Sequence, residues 1–405
     1  MENPTVLISG AGIAGPALAF WLRRFGFEPT VLERASGPRT GGNAVDLRGT
    51  AREVAGRMGI TRRVLEAHTG ARGMAFVDQD NTRVATLSTE VFGDSGGPIA
   101  EMAILRTDLA RILYDATHED VEYLFDDSIA GVVEGDDGVQ VAFRNSGSRR
   151  FDLLVGADGM HSNVRRLVFG PEQEYLHDLG CYVSLFTTTT PLQLNGWDLM
   201  YTMPGSHGRP GRTAGLYPLD TNGTALAGFF FRSELLQYDR RDVEEQKQIV
   251  LREFAGESWE IPRMLATIHD APDFYFDRVG QIQLDRWSRG RTVLLGDSAY
   301  CASPMSGIGT SLAMVGAYIL AGELAAAGGD HHVGFDNYER EMREFVARAQ
   351  RFARESSGSG LMPPSRRHMW MRNNSVKLLP FLPKRLVGRG MDTVANTVTL
   401  KSYAA

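Results

Sequence analysis

Cysteine is almost absent: Cys181 and Cys301 are the two in 405 residues. Two cannot build a disulfide framework, and a reducing, cytoplasmic setting is expected. Positive charge is not in excess either. A net charge of -6 offers no field to gather phosphates, so nucleic acid is not an expected partner. Long apolar runs are missing. The longest, Leu312 to Gly322, is rich in Ala and Gly and stops at Glu323, which suits a helix buried against a sheet; no stable membrane insertion is expected. The nine histidines are scattered, and none has helical spacing to a partner with a third ligand, so no metal site is expected. The first strand signal begins so early that no secretory leader is expected before it. No internal repeat of fixed period is present. What remains is an ordinary globular composition, 43% hydrophobic and 23% charged with 45 glycines, long enough for two or three domains' worth of core.

The most informative stretch is the first 33 residues. Thr5-Val6-Leu7-Ile8-Ser9 reads as a buried strand, Gly10-Ala11-Gly12-Ile13-Ala14-Gly15 as a glycine turn opening a helix, and Val31-Leu32-Glu33 as a second strand ending in a carboxylate. Gly10 allows the tight turn, Gly12 lets a pyrophosphate approach the backbone, and Gly15 lets helix and strand pack closely. The helix N-terminus presents free N–H groups and the positive end of its dipole to the phosphates. Glu33 stands where a carboxylate accepts hydrogen bonds from an adenosine ribose. A dinucleotide is the expected ligand.

Further along, Gly49 to Gly59 reads as a glycine-closed helix, and Thr107-Asp108 opens another through Leu109, Ile112 and Leu113. Ile129 to Glu134 and Val139 to Arg144 alternate around Gly135-Asp136-Asp137-Gly138, a hairpin signal. From roughly 175 to 285 the texture turns to short strand-like runs, among them Thr187 to Thr190 and Phe229-Phe230-Phe231. The final stretch is basic. Pro380 and Pro383 interrupt any long amphipathic face there, which favours a helix strapped across the protein over one lying on a membrane.

Two more glycine-and-aspartate corners follow apolar strands. One is Leu153-Leu154-Val155-Gly156-Ala157-Asp158-Gly159-Met160-His161-Ser162-Asn163-Val164-Arg165. The other is Val293-Leu294-Leu295-Gly296-Asp297-Ser298-Ala299, continuing through Pro304, Gly307, Gly309 and Thr310. Each puts an Asp past the carboxyl end of a strand, where ligands of open α/β sheets sit. Taken in order, the three corners resemble the single-component (class A) FAD-dependent aromatic hydroxylases, and within them the tetracycline-inactivating monooxygenases and polyketide-tailoring hydroxylases. The resemblance runs from Thr5 to about Ala327. It implies an α/β fold: a discontinuous Rossmann-like FAD-binding domain over 1–70, 100–175 and 286–355, an inserted β-rich substrate domain over 71–99 and 176–285, and a C-terminal bridging helix within 356–405.

The resemblance also implies roles. Gly10, Gly12, Ala14, Gly15, Glu33 and Arg34 fall in the ADP-binding fingerprint. Asp46 matches an acid beside the flavin, Arg39 an arginine implicated in nicotinamide cofactor binding, and Arg106 an arginine that hydrogen-bonds FAD. Asp158 belongs to a motif thought to touch both FAD and NAD(P)H, and Asp297 matches the acid that holds the ribityl chain. Beyond it, Pro304, Gly307, Gly309 and Thr310 open a helix whose N–H groups close on the pyrimidine edge of the flavin ring and whose dipole favours the reduced anion. Three positions depart from the family pattern: Tyr300 replaces a frequent His, Ser311 an Asn, and Gly316 an Asp.

The implied activity is NAD(P)H-driven oxygenation, by dioxygen through a flavin hydroperoxide, of an electron-rich aromatic or polyketide-like small molecule. The cofactors are FAD with NADPH or NADH, and no catalytic acid or base is nominated because the flavin carries the chemistry. An apolar chamber is required to exclude water. Its expected wall is Tyr182, Phe186, Tyr201, Met203, Tyr217, Phe229 and Phe231, with Arg212 to orient an anion and Phe230 turned into the core; the opposite strand phase is the alternative. Other functions to weigh are flavin-dependent dehydrogenation, decarboxylation or epoxidation, and mere binding of a drug or pigment. Gly93-Asp94-Ser95-Gly96-Gly97-Pro98 spells a serine-protease signature, but no disulfides or barrel precede it. Trp259-Glu260-Ile261-Pro262 only half-matches a halogenase motif.

Overall fold

The computed structural model describes residues 3–38, 43–89, 102–206, 208–220, 222–356, 360–382 and 393–403. Its centre is a six-stranded sheet in the order Ser288–Arg289, Thr292–Leu294, Leu153–Gly156, Thr5–Ser9, Glu28–Leu32 and Glu122–Leu124. All neighbours are parallel except the first pair. Fully apolar strands such as Leu153–Gly156 suit this position because helices or a second sheet cover both faces. The helix Ala14–Arg24 lies against the helix Gly309–Ala326, which is apolar all round and buried along nearly its whole length. By length and composition that helix passes for a membrane span, yet it packs inside the protein. The amphipathic helix His331–Ser356 covers its other side.

A seven-stranded sheet, in the order Tyr275–Ile282, Leu176–Thr189, Thr224–Arg232, Arg212–Pro218, Trp197–Met203, Gly73–Val77 and Arg83–Ser88, forms the second layer. It is antiparallel save for the pairing of Trp197–Met203 with Gly73–Val77. The run Thr187 to Thr190 is the end of the long strand Leu176–Thr189, whose register breaks between Asp178 and Cys181. The Gly135–Gly138 turn does join an antiparallel hairpin, Ile129–Gly135 with Gly138–Phe143. The helices signalled near Gly49 and Thr107 are Thr50–Arg57 and Arg106–Asp115. The protein is thus a mixed α/β fold built on a Rossmann-like sheet.

The C-terminal stretch touches both layers. The helix Arg366–Leu378 lies on the seven-stranded sheet: the Arg372 guanidinium sits 3.8 Å over the Phe76 ring and donates to Thr202 Oγ1 at 3.2 Å. The later segment crosses to the other layer. There Tyr403 and Lys401 both donate to Glu323 Oε1 at 2.7 Å, on a side chain that is only 4% exposed. The Tyr403 ring occupies the space beside Gly322, where a methyl group would sit 2.1 Å from it. Gly322→Ala is therefore expected to expel Tyr403 and loosen the segment, at about 1–3 kcal/mol for overpacking. A lowered melting temperature with faster proteolytic trimming of the C-terminal segment is the predicted result; wild-type behaviour in both assays would refute it.

Candidate functional site

The three glycine-and-aspartate corners meet at the carboxyl ends of adjacent parallel strands. Gly10, at φ +112°, has the Ala157 carbonyl oxygen 2.5 Å from where its Cβ would stand, and a methyl on Gly15 would lie 1.9 Å from the Gly10 carbonyl oxygen. Those two glycines are demanded by contact between backbones. Gly12 differs. A Cβ there would meet only Arg106 Nη2, at 4.0 Å, so its bareness leaves room for a ligand rather than for the protein. Glu33 closes the turn: its carboxylate accepts from Ala11 N at 2.9 Å and Ala35 N at 3.1 Å. Arg34 is exposed beside it, and Ala14 packs beneath Gly296.

The second and third corners are locked by side chains. Asp158 accepts from Asn163 N at 2.8 Å, Val164 N at 3.1 Å and the Ser298 hydroxyl at 3.3 Å. The Asp158 carboxylate thus caps the helix Asn163–Val168 and ties it to Ser298. Arg165, fully buried, reaches Ser298 O at 2.8 Å and Met160 O at 2.5 Å, joining the same corners.

Arg106, Asp297 and the glycine turn after Pro304 line one cleft. Asp297 keeps accessible surface, yet protein walls enclose it; burial raises its carboxyl above the ordinary range while the Arg106 guanidinium pulls it down. Gly309 follows, with Asp297 Oδ1 4.0 Å from its Cβ position. Pro304 and Gly307 are exposed there, and Thr310 is half-buried in the first turn of Gly309–Ala326. Ser303 is strained at φ +81°, ψ 150°, and its hydroxyl accepts from Met305 N. Asp46 pairs with the buried Arg48, whose backbone N–H donates to Ser311 Oγ at 3.1 Å. Ala11, Gly12, Arg106, Asp297 and Gly309 thus follow one another from the first corner to the third. Arg39 and Gly93–Pro98 lie outside the described residues.

Two departures from the expected pattern explain each other. A methyl on Gly316 would stand 2.3 Å from the Tyr300 hydroxyl, so the tyrosine fills the room that a side chain at 316 would take. Tyr300 is held by Tyr338 at 2.9 Å. Cys301 is a packed thiol whose pKa burial drives well up, which suits no redox role.

The wall of the chamber requires a correction. One face of the seven-stranded sheet carries Tyr182, Phe186, Met203, Phe229 and Phe231, packed against the helices Val243–Phe254 and Ile261–Ala266. Tyr201 is on this side as well, stacked on Trp259 at 5.6 Å and bonded to Ser258, and so is Arg212, which lies over Phe254 and pairs with Glu257. The other face carries Val183, Met200, Phe230 and Tyr217, packed with Met305 of the turn beside Asp297. That second face looks toward the cleft. Of the expected wall only Tyr217 belongs to it, because the strands are buried on both faces and the alternation runs in the opposite phase.

Asp198 and Tyr275 also face inward and carried no motif. Tyr275 is 46% exposed, yet feels the charge of Arg106, and burial raises its hydroxyl pKa. Asp198 is half-buried on the Met200 face, and burial with the nearby Asp46 pushes its carboxyl up to about 8. A charged residue inside the strand Trp197–Met203 was the available signal for it.

The chain matches the family model described as "FAD binding domain" over residues 3–353. A flavin-dependent monooxygenase of Legionella longbeachae is 36% identical over 99% of both chains, and an uncharacterised protein of Mycobacterium tuberculosis is 45% identical over 85% of this chain and 91% of its own length. The crystal structure of the tetracycline destructase Tet(51) superposes with a TM-score of 0.83 at 34% identity, covering 100% of both chains. A Klebsiella pneumoniae protein, HpxO, solved with FAD and uric acid, shares the fold with a TM-score of 0.72 at 20% identity, over 98% of both chains.

On the rim, an ionic cluster fastens the two layers. His161 bonds Glu172 at 2.8 Å and Asp277 at 2.7 Å, and Arg240 reaches Glu172 at 2.6 Å. Burial disfavours the imidazolium, but the hydrogen bonds it donates to both carboxylates outweigh that and raise the His161 pKa above its ordinary value. For Glu172, burial acts upward, and the bonds from His161 and Arg240 override it to hold the carboxyl at about 2. The histidine's contribution is complete below its unfolded pKa near 6.5 and fades as pH rises through the raised value. The glutamate's is complete above about 4.5 and fades as pH falls toward 2. Glu172→Gln is predicted to cost about 1–3 kcal/mol between pH 5 and 6, and less at both extremes. Melting curves across pH that stay parallel for variant and wild type would contradict this.

Proposed function

The chain belongs to the FAD binding domain family, alongside flavin-dependent monooxygenases, and from that premise we propose that it uses NAD(P)H and dioxygen to insert one oxygen atom into an electron-rich aromatic or polyketide-like small molecule. The observation that carries the reading is the string Gly12, Arg106, Asp297 and Gly309, which opens beside an apolar sheet face. FAD, when bound, supplies the redox chemistry: electrons from NAD(P)H and activation of dioxygen, so that substrate, dioxygen, NAD(P)H and a proton give oxygenated product, water and NAD(P)+.

The residues fit that group. The bare Gly12 admits a pyrophosphate to the N-terminus of Ala14–Arg24, and Arg106 stands over it to neutralise charge. Asp297, enclosed and beside Arg106, accepts hydroxyl donors of a ribityl chain. The Gly307–Gly309 turn and the long helix behind it put N–H groups and a dipole toward the ring edge. Phe230, Met200, Tyr217 and Met305 keep water from the reacting centre, and Arg372 with its helix covers the outer part of the same sheet face. The destructase likeness favours substrates with fused, phenolic rings.

Two experiments test the reading. A Cβ at Gly12 would meet no protein atom nearer than Arg106 Nη2 at 4.0 Å, so Gly12→Val should fold with a wild-type circular dichroism spectrum and lose FAD affinity by more than about tenfold; undiminished flavin uptake counts against the cleft. With the wild type, a panel of polycyclic phenols and tetracyclines should include members that stimulate NAD(P)H oxidation and take up one labelled atom from 18O2. Reduced cofactor consumed with only hydrogen peroxide formed, across the panel, would sink the oxygenase assignment.

A further inference from the structure

Resting on the chamber assigned above, we propose that Asp198 selects and orients the substrate by accepting a hydrogen bond from a protonated amine carried on a flat, apolar ring system. Asp198 stands on Trp197–Met203, two residues before Met200, and so shares the face that looks toward Met305 and the cofactor cleft. Tyr217, one step beyond the Leu199–Leu216 pairing, is its neighbour on the adjacent strand. The tyrosine ring lies flat over two glycines: methyl groups at Gly215 and Gly228 would stand 3.2 and 2.7 Å from it. The floor beside the carboxyl is therefore smooth and aromatic.

Asp198 has no hydrogen-bond or ion-pair partner among the described residues, which is costly for a carboxyl at such a place. The groups around it do not relieve the cost. Asp46, near it on the strand Ala44–Asp46, which pairs with Ala103–Leu105 in a separate two-stranded sheet, is of like charge and already holds Arg48. Tyr217 is a neutral phenol whose pKa is raised by burial first and by Asp198 second. Arg372, a cation on the same sheet face, is committed to Thr202, the Gly360 carbonyl and Asn373. Two acids thus stand near each other, one satisfied and one not, above aromatic and thioether surface. That arrangement suits a cation with an apolar body. Without ligand the carboxyl, with its pKa raised to about 8, keeps its proton at neutral pH; an arriving ammonium displaces that proton to solvent and leaves an ion pair, so binding is linked to proton release.

The test uses the FAD-loaded protein and its Asp198→Asn variant, titrated calorimetrically at pH 7 in phosphate and in Tris. The probes are N,N-dimethyl-1-naphthylmethylamine and its neutral isostere 1-isobutylnaphthalene. Wild type should bind the amine about tenfold or more tightly than the isostere and release close to one proton, read from the difference between buffers. The variant should bind both probes alike, release none, and hold the isostere as wild type does. Equal affinities in wild type, no binding of the amine, or a preference and proton count that survive the Asn substitution would overturn the proposal. A preparation that does not take up FAD sinks both readings; one that takes it up normally but shows an indifferent Asp198 sinks this one alone.

Discussion

Everything in this protein depends on how closely three strand ends can approach one another. Gly10 lies against the Ala157 carbonyl and Gly15 against Gly10 itself, at separations that leave no room for a side chain. Gly159 N donates to Ser298 Oγ at 3.0 Å, and the buried Arg165 closes the remaining gap. Backbone contact fixes the corners, and Arg106 and Asp297 project from the same edge of the sheet. The cost of concentrating turns and free N–H groups at one edge is met by the apolar strands and the all-round apolar helix Gly309–Ala326 behind them.

The second sheet contributes two unlike surfaces. The face toward Val243–Phe254 is an aromatic core, with Phe229 and Phe254 at 4.7 Å and Tyr182 stacked between Phe231 and Phe276. The face toward the cleft is flatter, because glycines at 215 and 228 let Tyr217 lie down on it. One sheet therefore separates a surface specialised for cohesion from one specialised for accommodation.

How far the sequence reveals this differs by feature. The nucleotide corners are legible because glycine and aspartate there answer to backbone geometry, which spacing encodes directly. The hairpin at Gly135–Gly138 is legible for the same reason. The chamber wall is not. In Phe229-Phe230-Phe231 every residue is apolar and both sheet faces are covered, so alternation gives two faces without saying which meets the cofactor; tertiary packing decides it. The capping role of Asp158 is not legible either, because a carboxylate after a strand serves equally well as a helix cap or a ligand contact. Tyr300 and Gly316 each look like isolated departures in one dimension and become a single exchange of volume in three.

The segment 393–403 is made by the ribosome later than the helix Gly309–Ala326, yet Tyr403 and Glu323 need each other to bury that helix's end. During synthesis the nascent layer waits with a naked glycine notch and an unneutralised acid at its back. Closure of this end of the long helix is thereby deferred until after these late residues have left the exit tunnel.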